Sequence, residues 1–120
     1  MTDLQQLAER YIATWNEADA DARRKLVGDL WSEDGDYTDP LMAVTGRDAI
    51  SEAIGAARAQ FPGLVFTLGT VDAHHNLARF TWDLGPAGGQ ALIVGFDVLV
   101  ADAEGRVASV LGFLDRVPTA

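Results

Sequence analysis

Val94-Gly95-Phe96-Asp97-Val98-Leu99-Val100 is a run in which nearly every residue is apolar and the middle one is a carboxylate. Branched and aromatic residues at this density read as a strand, and Asp is depleted from strands. Asp is also almost never fully buried without a partner. An anion leaving water either finds a donor or keeps its proton. Asp97 therefore has two readings: an ion pair with an arginine on a neighbouring strand, Arg79 or Arg116, or a place in the wall of a pocket.

This run is the third of four β-rich stretches that follow Gly63: 64–72, 77–84, 90–101 and 106–117. The breaks are Ala73-His74-His75-Asn76, Gly85-Pro86-Ala87-Gly88-Gly89 and Asp102-Ala103-Glu104-Gly105. Connections this short imply hairpins and a mostly antiparallel meander.

The chain before Gly63 is helical. Leu4, Leu7, Ala8, Tyr11, Ile12 and Trp15 recur at helical spacing and predict a helix over 4–16. Thr2 and Gln5 offer a capping box. A second helix is expected from about Asp21 to Trp31, capped by Asp19 or Asp21. Its core face would be Ala22, Leu26, Leu30 and Trp31, and Ser32-Glu33-Asp34-Gly35 would end it as a turn. Asp36-Tyr37-Thr38-Asp39-Pro40 reads as a short strand stopped by Pro40, with Asp39 on the same face as Tyr37. Thr45-Gly46-Arg47-Asp48 resembles a second capping box, before a helix that buries Ile50, Ala53, Ile54, Ala57 and Phe61. Helices first and sheet after make an α+β domain in which three N-terminal helices cover one face of a curved sheet.

The chain has 120 residues, which suits one domain over 1–120. A net charge of -9 disfavours nucleic acid and anionic membranes as partners. With no Cys there is no thiolate metal site and no Cys nucleophile. No window approaches a membrane span. The N-terminus shows no basic region followed by an apolar run, so a cytoplasmic location is expected. No nucleophile elbow, P-loop or dinucleotide fingerprint is present, and Gly85 to Gly89 joins strand to strand, with no helix N-terminus to hold a phosphate. His74 and His75 sit in a hairpin turn and would point to opposite faces, so no metal site is expected.

The order helix, helix, short strand ending in Asp-Pro, helix, four long strands resembles the nuclear-transport-factor-2-like superfamily, in the branch of SnoaL-like polyketide cyclases and ketosteroid isomerases. The resemblance spans essentially the whole chain. It implies a cone-shaped sheet enclosing an apolar pocket. Three local patterns are similar to ketosteroid isomerase: Arg10-Tyr11-Ile12-Ala13-Thr14-Trp15-Asn16, Tyr37-Thr38-Asp39-Pro40, and Phe96-Asp97 followed by Gly105-Arg106-Val107. The resemblance implies Asp39 as general base, with Tyr11 and a protonated Asp97 as donors to the substrate oxygen. Ketosteroid isomerase works in this way, with an Asp base beside a Tyr and a carboxylic acid kept neutral by its apolar site. Where that family carries a supporting Tyr on its third helix, this chain has Ile54, so Tyr11 would stand without it.

The expected function is a cofactor-free isomerase or cyclase that abstracts a proton next to a carbonyl of an apolar substrate. Trp15, Trp31, Tyr37, Phe66, Phe80, Trp82 and Phe113 are expected to line the pocket or the core. The alternatives are a non-catalytic ligand-binding or dimerisation module of the same fold, and epoxide-hydrolase or dehydratase-like chemistry. The last would use an Asp-Arg-Asp set drawn from Arg79, Asp97 and Asp115. Asp115 and Arg116 could also form a surface or interface pair. A homodimer through the open sheet face is implied by the resemblance.

Overall fold

A computed structural model describes residues 3–118. Three helices, α1 (Leu4–Asn16), α2 (Ala20–Leu30) and α3 (Arg47–Gln60), pack on one six-stranded sheet. The strands are β1 (Trp31–Thr38), β2 (Ala43–Thr45), β3 (Val65–His74), β4 (Leu77–Gly85), β5 (Ile93–Ala101) and β6 (Val107–Arg116), in the order β2-β1-β6-β5-β4-β3. Neighbours are antiparallel except β1 and β6. The expected α+β architecture and antiparallel meander are present. Among the described residues no helix is long and apolar enough to cross a membrane.

Helix α1 buries the stripe read from its spacing, Leu4 through Trp15. The expected cap at Thr2 lies outside the described residues; Asp3 caps the helix, accepting from the Gln6 amide at 3.0 Å. Asn16 then docks the helix on the sheet. Its amide both accepts from Phe66 N at 2.7 Å and donates to Phe66 O at 2.8 Å, so it pairs the edge strand β3 as a neighbouring strand would.

Three expectations for the middle of the chain are corrected. First, α2 buries Arg23, Val27 and Leu30, while Leu26 is 37% exposed. The Arg23 guanidinium lies over Gly55 of α3, where a Cβ would be, a buried cation that counting hydrophobic positions misses. Second, Ser32 to Gly35 is a bulge inside β1, not a turn before it. Trp31 pairs with Val107 and Asp36 with Ser109, so four residues of β1 stand opposite one of β6. The bulge folds back on the indole of Trp31: a Cβ on Gly35 would lie 2.6 Å from it. Third, α3 is capped by Gly46 (φ 96°) with no side-chain hydrogen bond, because Thr45 is held in β2, a strand the sequence pattern does not reveal.

On β5 the positions Ile93, Gly95, Asp97, Leu99 and Ala101 lie on the buried face toward the helices, and the alternate residues are half-buried on the other face. The inner face has room because of its glycines. Gly95 stands opposite Trp82 of β4, and the indole lies across it where a Cβ would be. Gly95→Ala should therefore cost about 1–3 kcal/mol through overpacking. Gly28→Ala, on α2 where a Cβ meets nothing within 4 Å, should stabilise by up to about 1 kcal/mol. Denaturant midpoints of the two variants compare the sites.

Candidate functional site

A cavity of about 340 Å³ opens between α1, α3 and the inner face of the sheet. Tyr11 reaches it from the middle of α1, Asp39 from just beyond β1, and Asp97 from the middle of β5. Four aromatic rings form one wall in unbroken contact. Tyr37 and Trp15 have centroids 5.5 Å apart, Trp15 and Phe66 5.4 Å, and Phe66 and Trp82 5.4 Å. Leu41 and Val117 are exposed at the rim.

Of the aromatic residues expected in the pocket or the core, three do not line the cavity. Trp31 and Phe80 are fully buried behind the cavity, packed on the ring of Tyr11 at 6.3 and 5.8 Å. They shield it from water without touching the free space. Phe113 falls on the outer face of β6, 59% exposed, opposite Phe96. Its parity follows from Gly112 and Leu114, which face inward on either side of it.

Asp97 is 3% exposed and has no arginine partner. Arg79 pairs with Asp72 at 3.2 Å, and Arg116 donates to the Ala91 carbonyl at 2.9 Å. The Arg79–Asp97–Asp115 set does not assemble: Arg79 stands opposite Val98, hence on the face away from Asp97, and Asp115 is exposed in the irregularity where β6 slips against β5. Among the described residues Asp115 and Arg116 form no ion pair.

Burial raises the Asp97 carboxyl from 3.8 to about 7. The Trp82 indole N–H and the Tyr11 hydroxyl act in the opposite sense, and the charge of Asp39 adds to the rise. Tyr11 is 1% exposed, and its hydroxyl completes no hydrogen bond of good geometry, although Asp97 and the Trp15 indole are close enough to influence it. Burial, then the Asp97 charge, hold that hydroxyl protonated. Ile54 is buried and offers Tyr11 no donor.

Asp39 is held differently. Oδ1 accepts from the amides of Leu41 at 2.8 Å and Met42 at 3.0 Å, and Oδ2 accepts from the Tyr37 hydroxyl at 2.6 Å. Asp39 thus caps a turn and faces the pocket at once.

Sequence reasoning missed Gly112. It pairs with Asp97, and a Cβ there would lie 2.7 Å from Asp97 Oδ1 and 3.4 Å from Asp39 Cβ. A glycine inside a strand, flanked by Leu111 and Phe113, was the available signal for such a close approach. His74 and His75 are exposed at the β3–β4 hairpin, and among the described residues no group of three or more His, Asp or Glu is placed to hold a metal ion.

A family model described as the SnoaL-like domain matches residues 8–110. A candidate isomerase of the SnoaL-like family from Agrobacterium tumefaciens strain C58 is 46% identical, with a TM-score of 0.88 over 92% of this chain and 96% of that one. A candidate ketosteroid isomerase from Kribbella flavida DSM 17836 is 22% identical (TM-score 0.70, 96% and 79% covered), and a candidate SnoaL-like polyketide cyclase from Jannaschia sp. CCS1 is 16% identical (TM-score 0.72, 92% and 86% covered). The last two share the fold. No curated protein matches the chain.

The raised Asp97 carboxyl makes stability depend on pH. The native state holds this proton more tightly than the unfolded chain, so the stabilisation is complete below about pH 4 and is lost as pH rises to about 7. The loss is at most about 4 kcal/mol. Denaturant titrations from pH 4 to 8 should show this slope, and Asp97→Asn should flatten it.

Proposed function

The chain belongs to the SnoaL-like family, and from that premise we propose that its cavity transfers a proton on an apolar, carbonyl-bearing substrate. The observation that carries the proposal is the convergence of Tyr11, Asp39 and Asp97 on one mainly apolar cavity, with no cation among the described residues to neutralise Asp97. Asp39, whose carboxylate oxygens accept from three donors, takes a proton from the carbon next to the carbonyl. The electron pair of that C–H bond becomes the C=C bond of the enolate as the C=O π pair moves onto the oxygen. Tyr11 and the protonated Asp97 donate hydrogen bonds to this oxygen in a site largely free of water, where such donors are most effective. In a β,γ-unsaturated substrate the dienolate extends over the second double bond, and return of the proton from Asp39 to its far carbon completes an isomerisation; attack of the enolate carbon on a second carbonyl, with the proton returned from Asp39 to the new alkoxide, would complete a cyclisation. Trp15, Phe66 and Trp82 supply a flat apolar wall for the substrate. No cofactor enters these steps.

The reaction can be followed without knowing the natural substrate, as exchange of deuterium into the α-carbon of a panel of bulky apolar ketones. Asp39→Asn should slow exchange by about 10²–10⁴-fold. Tyr11→Phe should slow it by about 10²–10³-fold. The rate should fall as pH rises through about 7, where Asp97 ceases to be a donor. Ketones that bind but exchange no faster than in buffer would favour a ligand-binding module instead.

The outer face of β5 and β6 supports a homodimer. Phe113 and Leu111, 59% and 42% exposed, flank half-buried Phe96 and Val98 in one apolar patch across two strands. Light scattering should give twice the chain mass, and Phe113→Glu should reduce it to that of one chain; a monomeric unsubstituted protein would reject the dimer.

A further inference from the structure

A carboxylate has about four lone-pair sites, two on each oxygen. On Asp39 the amides of Leu41 and Met42 take two at Oδ1, and the Tyr37 hydroxyl takes one at Oδ2. One site remains, and it lies on Oδ2 beside the phenol. Taking Asp39 as the base proposed above, we infer that Tyr37 is a positioning residue: its hydroxyl fixes the rotation of the Asp39 carboxylate and directs the incoming proton to the free lone pair of Oδ2.

Tyr37 suits this role. Its ring is buried in the aromatic wall against Trp15, so the phenol has little freedom to turn away. Burial, and then the carboxylate it serves, keep its hydroxyl protonated and so committed as a donor. The other groups around Asp39 offer no substitute. The proton of Asp97 from β5 is committed to the substrate oxygen in the reaction proposed above, and Tyr11 from α1 faces Asp97. Gly112 of β6 meets only the Asp39 Cβ, Gln60 of α3 is uncharged, and no Lys, Arg or His lines the cavity. Tyr37 also distinguishes the two carboxyls: Asp39 accepts a strong phenol bond, and Asp97 accepts none of comparable geometry.

The test reads Asp39 directly and needs no substrate. With ¹³C-carboxyl-labelled Asp, the pH midpoint of Asp39, assigned through Asp39→Asn, is followed by NMR in the unsubstituted protein and in Tyr37→Phe. A lost donor to the anion should move that midpoint upward by about one pH unit. In a second arm, a Tyr11→Phe protein, in which Tyr37 is the one tyrosine left of two, is grown with 3-fluorotyrosine. The more acidic phenol donates more strongly and should move the midpoint downward. A tyrosine that serves only packing would alter thermal stability without producing opposite shifts. An unchanged midpoint in either arm, or shifts of the same sign, overturns the inference. If Tyr37→Phe does not fold, the fluorotyrosine arm decides alone. Failure of the ketones to exchange would reject Asp39 as a base and leave these midpoints untouched, so the two ideas fail separately.

Discussion

One constraint governs the interior of this protein: Asp97 is buried in the sheet with no cation beside it. A charged carboxylate in such a place costs several kcal/mol, and proton uptake relieves that cost. The surroundings preserve this condition. Phe80 stands opposite Asp97 on one side and Gly112 on the other. Any larger residue at 112 would occupy the space of Asp97 Oδ1 and press on Asp39. The glycine therefore lets two carboxyls share one cavity, while the aromatic residues behind Tyr11 keep water from the opposite side.

The distribution of arginines explains why no cation intrudes. Helices α1 and α2 have no basic residue in their last turns, where the carbonyl ends of a helix attract positive charge. The charge arrives from other helices. Arg58 of α3 donates to the Trp15 carbonyl at 2.8 Å, and Arg23 of α2 to the Glu17 carbonyl at 2.9 Å. Arg47 of α3 grips the Trp31 carbonyl with two nitrogens, at 3.0 and 2.7 Å. These bonds tie the three helices to one another at their ends. The guanidinium groups that could have neutralised the pocket instead hold its roof together.

Much of this was legible in the chain. Period-3.6 and period-2 patterns located the three helices and the four strands after Gly63, because burial on one face imposes that periodicity whatever the tertiary detail. Asp97 stood out because a carboxylate contradicts an apolar strand. What escaped was set by partners distant in sequence. Leu26 fits a core stripe, but α2 turns Arg23 inward instead, with its guanidinium over Gly55. Ser32-Glu33-Asp34-Gly35 has the composition of a turn and is a bulge, since pairing with β6 resumes beyond it. Trp31, Phe80 and Phe113 are equally aromatic, and register alone separates a core, a shield and an outer face. The choice between an arginine partner and a cavity for Asp97 likewise required knowing that Arg79 faces outward.

The two acids differ because of where the backbone places them. Asp97 sits inside a strand paired on both sides, so the amides around it are already engaged with β4 and β6. Its carboxyl can be stabilised as an anion only by side chains, and those present are weakly disposed to do so. Asp39 sits one residue past the end of β1, where Pro40 turns the chain and leaves the amides of Leu41 and Met42 free to bind it. Identical side chains thus meet two settings, one where burial favours the protonated acid and one that supplies three donors. The division arises from strand and strand end, before any ligand enters, and the cavity is placed where those two backbone environments meet.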